Sequence, residues 1–117
     1  MANTIVAGIS GASVTSASEV DLLGQNGTPA SVNGLALANS DRFTITVKTT
    51  QNIVLRVYVA AGPNAGLVVV PNWGTTVTSA APYSLLVSGS SYGVIRVTAQ
   101  ASSTTASVSC DLRAVSP

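Results

Sequence analysis

From Phe43 onwards, apolar and polar residues alternate along the chain with a period of two. Phe43, Ile45 and Val47 alternate with Thr44, Thr46 and Lys48, and Ile53, Leu55, Val57 and Val59 alternate with Val54, Arg56 and Tyr58. Successive side chains of a strand point to opposite faces, so each set predicts a half-buried strand. Thr49-Thr50-Gln51-Asn52 predicts the turn between them, and Gly62-Pro63-Asn64-Ala65-Gly66 a hairpin-type loop after the second. Residues 67–70 are a short apolar run broken by Pro71-Asn72-Trp73-Gly74, and residues 75–78 read as a short edge strand. Tyr83, Leu85 and Val87 form the next set, closed by Ser88-Gly89-Ser90-Ser91. Tyr92, Val94, Arg96 and Thr98 then face away from Ile95, Val97 and Ala99. The last strand turns Ala106, Val108, Cys110 and Leu112 inward and Ser107, Ser109, Asp111 and Arg113 outward. Strands recurring about every ten to twelve residues, with turn signals between them, predict an all-β fold. The expected architecture is an antiparallel β-sandwich, jelly-roll-like or Ig-like. No segment carries a helical period, and neither a repeat nor a domain boundary is visible, so residues 1–117 read as one domain.

The first forty residues lack this clarity. Residues 4–6 read as a short strand followed by a Gly8-Ile9-Ser10-Gly11 turn, and residues 13–20 are rich in Ser and Ala with little alternation. Val20, Leu22 and Leu23 precede Gly24-Gln25-Asn26-Gly27-Thr28-Pro29, a loop signal. Weak alternation leaves strand register poorly specified. Residues 1–40 are therefore expected to form an arm or a pair of loosely specified strands that complete a sheet against a neighbour. On that reading, deletion up to about Asp41 leaves a folded core that no longer assembles.

Composition sharpens the picture. Val, Ser, Ala and Thr make up more than half of the chain, and ten Gly and five Pro supply the punctuation that short strands need. Only 8% of residues are charged, against about 25% in ordinary soluble domains, and the formal net charge is +1. Low net charge favours association, which points to a subunit of an assembly, a homo-oligomer included; a monomer coated in Ser and Thr hydroxyls is the alternative. Arg42, Lys48, Arg56, Arg96 and Arg113 are dispersed along the chain, and aromatic residues for base stacking are few, so nucleic acid is not the expected partner. No stretch approaches the ~20 apolar residues that span a bilayer, and no secretory signal is visible. The Asn26-Gly27-Thr28 sequon then reads as accidental. A single cysteine excludes an internal disulfide and suits synthesis in a reducing cytoplasm.

Candidate chemistry is sparse. There is no His, and the only acids are Glu19, Asp21, Asp41 and Asp111. Glu19 and Asp21 are close in sequence, but nothing marks a cleft around them for a carboxylate pair. The expectation is no enzyme, no catalytic residue and no cofactor. Zinc has no ligand set; a calcium site from Asp21, Asn26 or Asp41 is conceivable. Gly8 and Gly11 lack the strand and lysine context of a phosphate loop. Cys110 reads as a buried thiol. Arg56 and Arg96 are expected to pair with Asp111 or Asp41 across a sheet face. Trp73 has three readings: a cover over one end of the sandwich, an interface anchor, or a sugar-stacking platform, the last two shared with Tyr83.

The order of parts between residues 43 and 115 resembles a β-sandwich module of tailed-phage virion proteins. The residues that carry the resemblance are Phe43-Thr44-Ile45-Thr46-Val47-Lys48, then Leu55-Arg56-Val57, the Asn72-Trp73 turn and Pro82-Tyr83. Tyr92-Gly93-Val94-Ile95-Arg96-Val97 and a closing Asp111-Leu112-Arg113-Ala114 follow. The acidic lead-in to the Trp that the family often has is missing. The resemblance implies a non-enzymatic virion structural protein, a capsid or tail component, and the favoured location is the capsid surface. Its partners would be the major capsid protein or other virion subunits, and its leading role head decoration or cement. A tail-fibre, receptor-binding or carbohydrate-binding module is the alternative.

Overall fold

The computed structural model describes residues 4–23, 35–37, 40–62, 66–88 and 92–115. They form ten strands: β1 (Thr4–Val14), β2 (Val20–Asp21), β3 (Leu35–Ala36), β4 (Arg42–Thr49), β5 (Ile53–Ala60), β6 (Val68–Val69), β7 (Thr75–Val77), β8 (Tyr83–Ser88), β9 (Val94–Ala101) and β10 (Ala106–Val115), with a 3-10 turn at Pro71–Trp73. All pairings are antiparallel.

One sheet has the order β1-β10-β4-β8. In the other, β9 and β5 are central; β2 and β3 pair with the free side of β9, and β6 and β7 with the free side of β5. Counting β2 with β3, and β6 with β7, as the halves of interrupted strands leaves eight strands. First then pairs with last, second with seventh, third with sixth and fourth with fifth. That is a long hairpin rolled up on itself, a jelly roll. The choice between jelly-roll and Ig-like sandwich, open in the sequence, is settled by this pairing.

The period-two patterning after Phe43 becomes the core. Phe43, Ile45 and Val47 of β4, Ile53, Leu55 and Val57 of β5, and Val108, Cys110 and Leu112 of β10 are at most 1% exposed. They pack with Ile95, Val97 and Ala99 of β9 in one cluster drawn from both sheets. Burying each large side chain contributes about 1.5–3 kcal/mol.

The N-terminal segment differs from its reading. Gly8 to Gly11 is no turn, because β1 runs through it and pairs with β10 from Thr4↔Val115 to Val14↔Ala106. Between Ile9↔Cys110 and Ala12↔Val108 the first strand carries one extra residue, a β-bulge. Gly11 takes φ +67 there, and its N–H donates to Ser109 Oγ at 3.0 Å. Gly8 lies within the strand, where a Cβ would strike the Cys110 carbonyl. The bulge flips parity: Ile5, Ala7 and Ile9 face inward before it, Ala12 and Val14 after it. That flip is why no alternation was legible. Val14, Leu22, Leu23 and Leu37 are all in the core, so this part of the expected arm finds its partners inside the chain. Asn26 and the sequon lie outside the described residues.

Candidate functional site

The densest polar cluster lies on the outer face of the six-stranded sheet. Register places Asp21, Thr98 and Arg56 in one row across β2, β9 and β5, and Tyr58 opposite Arg96 in a neighbouring row. Glu19 reaches over this face: its Oε1 accepts hydrogen bonds from Tyr58 Oη (2.8 Å) and Thr98 Oγ1 (2.7 Å), and lies 3.4 Å from Arg56 Nη1. Arg56 also donates to Gln100 Oε1 (3.2 Å), whose amide donates to the Ser16 carbonyl (2.9 Å). Arg96, fully buried, lies 3.6 Å from Asp21 Oδ2, while Asp21 Oδ1 accepts the Leu23 N–H at 3.0 Å.

The partners of Arg56 and Arg96 are thus Glu19 and Asp21, not Asp111 or Asp41. The reason is topological: segment 15–23 runs beside β9, where its carboxylates meet the guanidinium groups, and Asp111 is on the opposite sheet. Both carboxylates of the only close acidic pair are therefore engaged in tying that segment to β5 and β9. Partial burial, and then the hydrogen bond to Glu19, push the Tyr58 hydroxyl up to about 12. The sequence reading missed Tyr58, Thr98 and Gln100; their signal was the run of polar residues on the supposedly outward parity of β5 and β9.

Trp73 is partly buried against the core, in the turn between β6 and β7 that runs beside the middle of β5. Its ring meets Phe43 edge to face at 5.7 Å and Tyr92 at 5.6 Å, and Tyr83 Oη donates to the Trp73 carbonyl at 3.1 Å. These contacts hold the ring edge to face between aromatic neighbours. Cys110 is buried on β10, and burial, with the Asp111 charge next in size, pushes its thiol up to about 12. Such a thiol is a poor nucleophile. Among the described residues, no three His, Cys, Asp or Glu gather as a metal site, and no helix is long and apolar enough to cross a membrane.

The outer face of the four-stranded sheet contrasts with this closed network. The three remaining cations, Arg42, Lys48 and Arg113, are dispersed in sequence but share this face, with Asp111 among them. Val6, Arg113, Thr44 and Leu86 form one row across all four strands, and Val6 (71%) and Leu86 (69%) at its ends are exposed. A separate cleft of about 430 Å³ opens beside β5, lined by Arg56, Tyr58, Val69, Pro71 and Thr75 among others.

No protein-family model matches the chain, and no curated protein matches its sequence. Its fold resembles solved structures at low identity. The VP2 subviral particle of infectious bursal disease virus aligns with TM-score 0.50 and 13% identity over 99% of this chain and 32% of that one. PRD1 vertex protein P5 aligns with TM-score 0.47 and 21% identity over 97% and 71% of the two chains. A pilus protein of Bacillus endospore appendages aligns with TM-score 0.46 and 11% identity over 100% and 88%. Viral vertex, coat and capsid proteins recur among the similar folds, and at these identities the likeness is one of fold.

Proposed function

We propose that the chain is a non-enzymatic virion structural protein, a capsid decoration or cement subunit that lays the outer face of its four-stranded sheet on the phage head. The observation that carries the reading is the partition of charge. Arg56 and Arg96 are matched by Glu19 and Asp21 on one sheet, which leaves Arg42, Lys48 and Arg113 exposed on the other, over a broad face of Thr and Ser with Val6 and Leu86 at its margins. Such a face suits a large, flat, acidic partner surface, where apolar margins exclude water and cations set the orientation. The resemblance of residues 43–115 to phage virion modules supports the same role. The fold shared with the VP2 particle is compatible with it.

The test is cryo-EM of the assembled particle together with binding of the purified protein to particles that lack it. The expected result is density for the chain with Arg113 and Lys48 against the shell, and binding weakened about tenfold or more by Arg113→Glu. A map that leaves this face in solvent overturns the reading.

A tail-fibre or carbohydrate-binding role is the second reading, carried by the cleft beside β5, where Tyr58 and Arg56 adjoin Val69 and Pro71. Glycan-array binding lost on Val69→Asp, with no affinity for the shell, would favour it.

A further inference from the structure

Natural sheets blunt their edges with charge, proline, bulges or very short strands, because an unpaired edge is a template for another chain. The six-stranded sheet obeys this, since its outermost strands have two or three residues. The four-stranded sheet does not. Its outer strands are β1, Thr-Ile-Val-Ala-Gly-Ile-Ser-Gly-Ala-Ser-Val, and β8, Tyr-Ser-Leu-Leu-Val-Ser, neither holding a charge or a proline. Among the described residues, neither has a strand on its far side. The single bulge of β1 lies beyond Ile9 and leaves residues 4–9 regular.

The two edges also fit each other. Four strands alternate in direction, so the strand that would follow β8 must run as β1 does, antiparallel to β8. An even number of strands likewise brings the hydrogen-bonding phase back to that of β1. Of the registers that keep this phase, the one that extends the observed rows across the boundary matches the two edges residue by residue. The row Val6–Arg113–Thr44–Leu86 continues with Val6 of a second copy, which joins the two exposed apolar residues on the outer face. The inner rows end on Val87, Leu85 and Tyr83 at one edge and begin with Ile5, Ala7 and Ile9 at the other. All six are apolar and only partly buried in one chain. The remaining partners are small: Ser88 with Thr4, and Ser84 with Gly8. A slip of one residue would set Leu86 against an inward-facing side chain and lose both matches.

We propose that the chain self-associates head to tail, β8 of one copy adding antiparallel to β1 of a second, with Leu86 beside Val6. Such a contact uses two different surfaces and repeats, giving a ring or an open filament according to the rotation that sheet twist imposes. A six-residue edge contact is small, so a single one is weak and gains when copies are held side by side on a lattice. The proposal is independent of the shell-docking reading, because it is tested without any shell.

Val6→Lys blocks the β1 edge and Leu86→Lys the β8 edge; both residues are exposed, so unchanged circular dichroism and melting are expected for each monomer. Analytical ultracentrifugation of the full chain should show concentration-dependent association beyond the dimer for the wild type, and monomers for either variant alone. An equimolar mixture of the two variants should form dimers and stop there, because each supplies the one edge the other lacks. A Leu86→Lys chain that still dimerises would mean β1 pairs with β1 and overturn the proposal. So would a wild type that stays monomeric up to millimolar concentration, or a mixture that remains monomeric.

Discussion

In the six-stranded sheet the long strands β9 and β5 are flanked by strands of two or three residues, whereas the four-stranded sheet ends on β1, eleven residues long, and on β8, six. Their outer faces differ in the same sense. One is closed by Glu19, Asp21 and the guanidinium groups they meet; the other is an open field of hydroxyls, three cations and Asp111. Within one core, then, one sheet is finished by its own chain, whereas among the described residues the other ends on two unpaired edges beside an open face. Both sheets build the core; on the readings proposed above, assembly falls to the four-stranded sheet, which makes it separable from the closed network by mutation.

The harshest way to break this division is to remove residues 1–40. Val14, Leu22, Leu23 and Leu37 leave the core together with Glu19 and Asp21. At about 1.5–3 kcal/mol per large apolar side chain, the loss is comparable with the whole stability of such a domain. The truncated chain is therefore expected to be unfolded by circular dichroism, the reverse of what the sequence alone suggests. A folded, β-rich product would show that segment 4–23 only decorates the sandwich.

Asp21→Ala tests the closed sheet alone. It removes the carboxylate beside a guanidinium with no exposed surface, and a cost of about 3 kcal/mol is expected in urea unfolding. Adding Arg96→Met should recover much of it. The matching change on the open sheet, Asp111→Ala, is expected to stay within about 0.5 kcal/mol. Equal costs for the two would erase the contrast.

Cys110→Ser introduces a hydroxyl into an apolar site and should cost about 1–3 kcal/mol. The same residue sets a pH dependence. Its thiol is raised from an ordinary value of 9.0 to about 12, so above pH 9 the unfolded chain loses a proton that the folded chain keeps. Tyr58, raised from 10.0 to about 12, acts in the same direction. Stability is full below pH 9 and falls between pH 9 and 12, and Cys110→Ala should make that fall shallower, leaving the part due to Tyr58. A fall in the parent protein no steeper than in Cys110→Ala would mean the thiol is exposed, and rapid labelling of native Cys110 would report the same.

Legibility in the sequence tracked how local each signal was. β4, β5, β8 and β10 carry unbroken alternation, and their inward residues could be named from parity alone. β1 could not, since an extra residue at Gly11 changes parity in mid-strand, and two glycines in four residues resemble a turn. On β9, Arg96 and Thr98 look like solvent-facing residues by period but are buried, because Glu19 and Asp21 arrive from nearly eighty residues away. The ion pairs and the gathering of Arg42, Lys48 and Arg113 on one face both depend on strand order. No window of the chain contains that information.

Trp73 is the chain's only tryptophan, and it stands where the two sheets meet: Phe43 belongs to β4, Tyr92 leads into β9, and Tyr83 of β8 holds its carbonyl. The molecule thus carries its own optical gauge of whether the sandwich is closed. Indole emission should shift to longer wavelength when the sheets part. It should stay still when copies join through β1 and β8, because that edge contact leaves the ring's neighbours in place. One spectrum can therefore separate loss of fold from loss of the proposed edge contact.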